Sequence, residues 1–109
     1  MKFTNNQYDF IDPNETFAVE LCHYPLLTWN RRPHGSCMVH GHCHGNLCNI
    51  NDLTKELRVD VGFDAKLGNL EFVPLEKLYK HFTDIRDSVG CKTFQDYNEY
   101  LMAEQKVRL

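Results

Sequence analysis

The spacing of apolar residues changes at Pro74, and this change constrains the fold more than any other feature of the sequence. Before Pro74, residues 57–63 alternate apolar and polar side chains, which is the period of a half-buried strand. After Pro74, apolar residues recur at intervals of three and four, which predicts a helix with one buried face. Those apolar residues are Leu75, Leu78, Tyr79, Phe82, Ile85 and Val89. A chain with strands first and helices last is predicted to form an α+β or layered α/β domain.

Shorter runs predict the remaining elements. Residues 8–11 and 16–22 are aromatic and β-branched segments on either side of an Asp-Pro-Asn-Glu turn, which predicts a β-hairpin. Residues 36–40 form another short apolar run and a further predicted strand. Gly90 is placed to end the first helix, and Thr93 begins a Thr-x-x-Asp capping signal for a second one.

Composition narrows the classes of function. A net charge of −3 and an isoelectric point near 6.0 argue against general binding to nucleic acid or to an acidic membrane surface. No run of residues has the apolar length of an export signal or a membrane span. Without such a signal, an odd number of cysteines, five, indicates reduced thiols and a cytoplasmic protein. We expect a single domain of residues 1–109 in which residues 91–109 form a helical extension.

Potential metal ligands are concentrated between His34 and Cys48, a segment with seven of the chain's eleven cysteine and histidine residues. His42 and His44 follow the predicted strand 36–40, and two residues apart in an extended chain their side chains point to the same side. Imidazole is a common ligand for zinc, iron and nickel, and for manganese when oxygen ligands accompany it. The pattern favours a metal site over a solvated loop with incidental histidines.

Other cysteines and histidines have structural interpretations. The cysteine spacings include no Cys-x-x-Cys pair, the arrangement typical of structural zinc sites. Cys22 and Cys37 are therefore interpreted as small buried thiols. His40 is interpreted as a structural residue, which points to the opposite side from the histidine pair or hydrogen-bonds to the backbone.

Three motifs occur in order along the chain: His23-Tyr24-Pro25, then Gly41-His42-Cys43-His44, then a Val-x-Val-Gly-x-Asp run from Val59 to Asp64. This order resembles the carboxy-terminal half of a calcineurin-like metallophosphoesterase, over roughly residues 16–78. The resemblance implies a partial β-sandwich, in which one sheet is accompanied by carboxy-terminal helices. It also implies a centre of two metal ions, about 3.5–4 Å apart, on the loops at the strand ends.

The resemblance assigns His23 and His42 to the second metal ion and His44 to the first, with Mn, Zn, Fe or Ni as the divalent ion. A metal-bound hydroxide would then hydrolyse a phosphomonoester or phosphodiester by direct attack on phosphorus. The expected substrate contacts are Asn30, Arg31 and His34. They lie in a basic loop, and guanidinium groups suit phosphate oxygens. No residue of the chain is assigned as the acid–base catalyst.

The chain lacks the family's Asp-x-His, Gly-Asp-x-x-Asp/Glu and Gly-Asn-His-Asp/Glu motifs. In the family these motifs supply the bridging carboxylate, most ligands of the first metal and the acid–base histidine. We therefore expect the chain to be incomplete on its own, as a truncated product, one half of a split enzyme, or a relic. The expected partners are a chain that carries the missing half, or a second copy that covers an apolar sheet face left bare.

Two alternative functions remain open. A non-catalytic metal-binding or interaction module derived from the same fold would keep the histidines without hydrolysis. A small nuclease with a histidine-bound metal would use nucleic acid as its substrate. The net charge of −3 and the lack of Cys-x-x-Cys pairs argue against the nuclease.

Overall fold

The computed structural model describes residues 1–24, 26, 28–41, 54–62, 67 and 73–108, with side chains as far as residue 104. The described chain forms a four-stranded mixed sheet and two α-helices, so the predicted α+β class is confirmed. The strands are β1 (Lys2–Phe3), β2 (Phe17–Cys22), β3 (Cys37–His40) and β4 (Arg58–Asp60). The helices are α1 (Leu75–Asp87) and α2 (Phe94–Arg108), and a short 3-10 helix spans Arg32–His34. Membership of a metallophosphoesterase sandwich stays a prediction.

The sheet has the order β1-β2-β3-β4, and its last three strands run parallel. β1 pairs antiparallel with β2 and forms one side of the sheet. In the parallel part, Cys22 pairs with His40 and His40 pairs with Asp60, so all three strands end in one row. We call the end of the sheet marked by this row the carboxyl edge. The amino edge is the opposite end, where β3 and β4 begin at Cys37 and Arg58.

The predicted hairpin is wrong, because residues 8–11 form turns and bends rather than a strand. The Asn5 side chain donates hydrogen bonds to the carbonyl groups of Asp9 and Ile11, at 3.2 and 2.6 Å. These bonds satisfy locally two backbone groups that a strand ladder would use. β2 pairs with the short β1 instead.

Both predicted helices are confirmed. α1 starts directly after Pro74, and the chain leaves it through Gly90, whose φ of +79° glycine adopts without strain. The Asp96 amide donates a hydrogen bond to the Thr93 hydroxyl at 3.1 Å, which is the predicted cap of α2. The other predicted strands correspond to β2, β3 and β4, although β4 is shorter than the alternating pattern predicts.

The core lies between the two helices and one face of the sheet. Phe17 of β2 is fully buried, and its ring centroid lies 5.1 Å from that of Tyr79 on α1 and 5.8 Å from that of Phe94 on α2. The other buried members of this cluster are Ile11, Val19, Cys37, Val39, Leu57, Val59, Leu78, Phe82, Tyr97 and Leu101. Both helices therefore pack on the same sheet face.

On β3 and β4 the other face of the sheet is buried as well, whereas on β2 the residues of that face, Ala18, Glu20 and Cys22, are half-buried. This face carries Met38, His40, Arg58 and Asp60. Each of these side chains is at most 4% exposed, although the alternation in 57–63 predicts that its polar residues face solvent. The Arg58 guanidinium donates to the Leu26 carbonyl at 2.9 Å and pairs with Glu56 at 3.3 Å. On β3 and β4 the second face is therefore covered within the chain, and self-association and a partner chain both stay predictions.

Candidate functional site

The carboxyl edge of the sheet brings His23 next to Gly41, the residue that precedes His42 in the sequence. His23 directly follows β2, while Gly41 and then His42 follow β3. Asp60 is the last residue of β4. In sheets with parallel strands, ligands bind in the crevice beyond the carboxyl ends of the strands. The strand order therefore brings residues that are distant in the sequence to one place.

His23 lies at this edge with its side chain exposed. Its ring makes an edge-on contact with Tyr24, with centroids 4.9 Å apart. The His23 carbonyl accepts a hydrogen bond from the Gly41 amide at 3.2 Å. The backbone of the residue that precedes His42 is therefore held directly against the backbone of His23.

His42 and His44 lie outside the described residues, so their assignment as metal ligands stays a prediction. Within the described ranges, no three histidine, cysteine, aspartate or glutamate side chains are grouped so as to hold a metal ion. The predicted ligand set thus depends on two residues beyond those ranges. The fold contributes the positions of His23 and of Gly41, the residue covalently bonded to His42.

His40 is the last residue of β3 and is 1% exposed. Its Nδ1 atom lies 3.2 Å from the Gly41 carbonyl oxygen. Because a carbonyl can only accept, Nδ1 carries the proton and donates this hydrogen bond. The Val61 amide donates to the His40 carbonyl at 2.9 Å and extends the ladder by one residue. The buried ring and its bond to the backbone confirm the structural interpretation of His40.

Asp60 is a buried carboxylate that the sequence reasoning missed. It is 1% exposed, and its Oδ1 accepts a hydrogen bond from the Gly62 amide at 2.9 Å. A Cβ at position 62 would lie 3.2 Å from that oxygen, so glycine leaves room for the carboxylate. The alternation of apolar and polar residues in 57–63 had instead predicted that the Asp60 side chain faces solvent. The Asp-x-Gly spacing is the signal that could have found it, because aspartate commonly bonds to the backbone two residues on.

The expected substrate contacts lie toward the amino edge, where Ser36 leads into β3. The Ser36 hydroxyl donates to the Asn30 carbonyl at 2.6 Å, and the 3-10 helix that contains His34 begins directly after Arg31. Extended chain from Ser36 to Gly41 spans about 16 Å, at about 3.3 Å per residue. The structure therefore places Asn30, Arg31 and His34 toward the opposite end of β3 from Gly41, and their role in phosphate binding stays a prediction.

Arg32, in the same loop, is engaged within the protein. Its guanidinium pairs with Glu56 and lies 5.2 Å from the centroid of the Trp29 ring. The Trp29 indole in turn donates to the Ser36 carbonyl at 2.9 Å. These contacts tie the loop to the amino edge of the sheet.

The described thiols are free, and Cys37 is fully buried in the core. Burial raises the pKa of the Cys37 thiol well above its usual value. Because the thiolate is the form that binds metal, this cysteine does not suit a ligand role. The interpretation of Cys37 as a buried thiol is confirmed, whereas Cys22, at the carboxyl edge, is only half-buried.

No protein-family model, curated protein or solved structure matches the chain. The resemblance to metallophosphoesterases therefore rests on the residues of the three motifs. Across the ranges that the structure describes, no helix is long and apolar enough to cross a membrane.

Proposed function

We propose that the chain contributes metal ligands to a metallophosphoesterase-type site, with His23, His42 and His44 as those ligands. The observation that carries the proposal is the hydrogen bond of 3.2 Å from the Gly41 amide to the His23 carbonyl. It joins the segment that leads into His42 to the residue at which the His-x-Pro motif begins. Parallel pairing of β2 with β3 is the geometric reason, because both segments leave the sheet at the same edge.

The donor set suits a divalent transition metal. Three neutral imidazoles can hold zinc and leave a fourth position open, while Mn, Fe and Ni are the other candidates. When bound, such an ion polarises phosphoryl oxygens and lowers the pKa of a bound water. The chain's own contribution is to hold and orient: His23 offers an exposed imidazole, and the backbone bond at Gly41 sets the spacing of the two ligand segments.

Hydrolysis at this site requires carboxylates in addition to the three imidazoles. A two-metal site needs a group that bridges the ions, and hard metals prefer oxygen ligands. Asp60, at the carboxyl edge, is buried and accepts the Gly62 amide through Oδ1. In this proposal a partner chain supplies the missing carboxylates, and the substrate is a phosphomonoester or phosphodiester.

A non-catalytic metal-binding module is the second candidate. It is favoured by the predicted ligand set, because a site of imidazoles alone binds metal without the bridging group that hydrolysis uses. Both candidate functions include metal binding. They differ in activity, because only the metallophosphoesterase-type site should hydrolyse a phosphoester when the partner that carries the carboxylates is present.

Elemental analysis of the chain, purified without a histidine tag, tests metal binding. We expect about one divalent ion per wild-type chain, as for a three-imidazole site. We expect little or none in the His42→Ala/His44→Ala double variant, and reduced content in His23→Ala. His34→Ala is the matched control, because His34 is also an exposed histidine but lies toward the amino edge. Equal metal content in all four proteins would contradict the ligand assignment.

A further inference from the structure

A groove of about 430 Å³ lies between α1 and the segment of residues 9–13. The α1 residues that line it are Tyr79, Thr83, Arg86 and Asp87. The opposite wall is held in place, because the Asp12 amide donates to the Tyr79 hydroxyl at 3.0 Å and the Asn5 side chain bonds to two carbonyl groups of the same segment. Ligand sites are largely preformed cavities of roughly 300–1,000 Å³. The groove therefore has the size and the fixed walls of a ligand site.

The groove carries more negative than positive charge. Its described lining includes the carboxylates of Asp9, Asp12 and Asp87, and Arg86 is the one cation among these lining residues. Asp87 pairs with Nε of Arg86 at 3.1 Å and Glu15 pairs with Nη1 at 3.2 Å, so the charge of this guanidinium is already compensated. In the described part of the chain, no cation pairs with Asp9 or Asp12, and both are exposed. The groove is therefore complementary to a cationic group.

Arg86 also offers a hydrogen-bond donor to the groove. Its side chain is 7% exposed and donates from Nε and Nη1, whereas Nη2 has no hydrogen-bond partner among the described residues. Every fully buried polar side-chain atom of those residues has a partner, so Nη2 remains accessible, and the cavity that Arg86 lines is this groove. A guanidinium nitrogen can only donate. Because the surroundings are acidic, a neutral carbonyl oxygen suits this donor better than an anion does.

Two aromatic residues, Phe10 and Tyr79, line the same groove. The centroid of the half-buried Phe10 ring lies 5.9 Å from that of Tyr79 and 5.5 Å from that of the exposed Tyr8. A guanidinium stacks on aromatic rings more readily than an ammonium group does, and the aliphatic stem of arginine packs along apolar surface. The lining thus favours arginine over lysine as the source of the cation.

We propose that the groove binds an arginine residue of a partner protein. The arginine side chain extends along Phe10 and places its guanidinium beside Asp9 and Asp12. A backbone carbonyl of the same partner segment accepts a hydrogen bond from Nη2 of Arg86. None of the described lining residues is a candidate metal ligand, so arginine binding does not depend on the three-histidine site.

Titration of the ¹⁵N-labelled chain with the peptide acetyl-Ala-Arg-Ala-amide, followed by NMR, tests this proposal. We expect the amide signals of residues 9–13 and the Nε–H signal of Arg86 to shift. The same peptide with citrulline in place of arginine keeps the shape without the charge, and it should bind about fivefold more weakly or worse. Propylguanidine keeps the charge but has no carbonyl group, so it should also bind more weakly than the arginine peptide.

The double variant Asp9→Asn/Asp12→Asn should weaken binding of the arginine peptide about 5–20-fold, because it removes both unpaired carboxylates. Asparagine keeps the Oδ1 that accepts the Asn14 amide at 3.0 Å, so the turn after residue 12 is retained. Asp84→Asn/Asp96→Asn is the matched control, because it removes two exposed carboxylates of the helices that are not among the described lining residues. The NMR spectrum of each variant without peptide reports whether it is folded.

An unchanged spectrum on titration, or shifts that map away from residues 9–13 and Arg86, would overturn the proposal. Equal losses of affinity in the two double variants would also overturn it, because binding would then follow net charge alone. Equal binding of the citrulline peptide would refute the role of arginine. Equal binding of propylguanidine would refute the contact with a partner backbone and leave a small guanidine as the occupant of the groove.

Discussion

The ion pair between Arg86 and Glu15 joins α1 to the turn before β2 and to the start of α2. The Nη1 atom of Arg86 lies 3.2 Å from Oε2 of Glu15, and the same oxygen accepts the Phe94 amide at 3.1 Å. The two side chains are 7% and 9% exposed. The Arg86 guanidinium also lies 5.1 Å from the centroid of the Phe94 ring. Arg86→Met keeps much of the side-chain length but leaves Glu15 buried without its cation.

The expected loss of stability is large for a single substitution. Removal of one partner from a buried ion pair costs about 3–5 kcal/mol, because the remaining charge is uncompensated. Glu15 keeps its bond to the Phe94 amide and can take up a proton, so we expect the lower end, about 3 kcal/mol at neutral pH. Asp84→Asn is the matched control. It breaks the Lys80–Asp84 pair, whose side chains are 75% and 63% exposed, and should cost about 0.5 kcal/mol or less.

The loss should also depend on pH through the Glu15 carboxyl. Burial raises the pKa of Glu15 above its ordinary value of 4.5, although the Phe94 amide and Arg86 lower it in part. A pKa that is higher in the folded state means that the native chain binds more protons, so stability falls as the pH rises from 4.5 through the folded pKa. Loss of Arg86 raises this pKa further. The deficit of Arg86→Met should therefore shrink as the pH is lowered from 7 toward 5.

Urea unfolding followed by far-UV circular dichroism, at both pH values, measures these free energies of unfolding. The double variant Glu15→Gln/Arg86→Met should be more stable than Arg86→Met alone, because it leaves no buried charge. We expect a coupling energy of about 1–3 kcal/mol from the double-mutant cycle. A loss from Arg86→Met no larger than that from Asp84→Asn would refute the reasoning.

Three further outcomes are expected. Burial raises the pKa of Tyr97 from 10.0 to about 12. The free energy of unfolding should therefore fall by roughly 2 kcal/mol as the pH rises between these two values. Thermal unfolding of Tyr97→Phe should not show this fall. Gly35→Ala should lower the urea midpoint more than Gly90→Ala: both glycines have positive φ, but only at Gly35 would a Cβ meet backbone, 2.5 Å from the Gln95 nitrogen. The chain alone, with Mn²⁺, should hydrolyse bis-p-nitrophenyl phosphate little or not at all, and a rate typical of an intact metallophosphoesterase would contradict the need for a partner.

The elements that the sequence predicted correctly are those governed by local interactions. The buried face of α1 follows from apolar spacing, and the cap of α2 from the Thr93 hydroxyl and the Asp96 amide three residues on. The hairpin failed because residues 8–11 have the aromatic composition of a strand. Their carbonyl groups are bonded by the Asn5 side chain, an interaction that periodicity does not detect. β1 is two residues long, too short to give any pattern.

The sequence predicts the ligands His23, His42 and His44, and of these three the structure describes only His23. The motifs located His23, and spacing alone identified His42 and His44 as a pair. Alternation in 57–63 could not indicate that Arg58 and Asp60 are buried, because it does not show whether another segment covers the polar face. Arg58 is in fact buried and bonded to the Leu26 carbonyl, on the segment between β2 and β3. Such coverage is a tertiary property of the chain.

The direction of β3 relative to β2 decides whether His23 and His42 can belong to one site. If the two strands were antiparallel, His42 would follow β3 near the start of β2, about 16 Å or more from His23 at about 3.3 Å per residue. Parallel strands require a crossover connection of about a dozen residues or more, and the chain between β2 and β3 is long enough for one. The length of this connection is therefore compatible with parallel and with antiparallel pairing. The burial of all four residues of β3 is the feature typical of a parallel strand covered on both faces. Parallel pairing thus turns two separate motifs into one candidate site, and it delivers His40 and Asp60 to the same edge for the same reason.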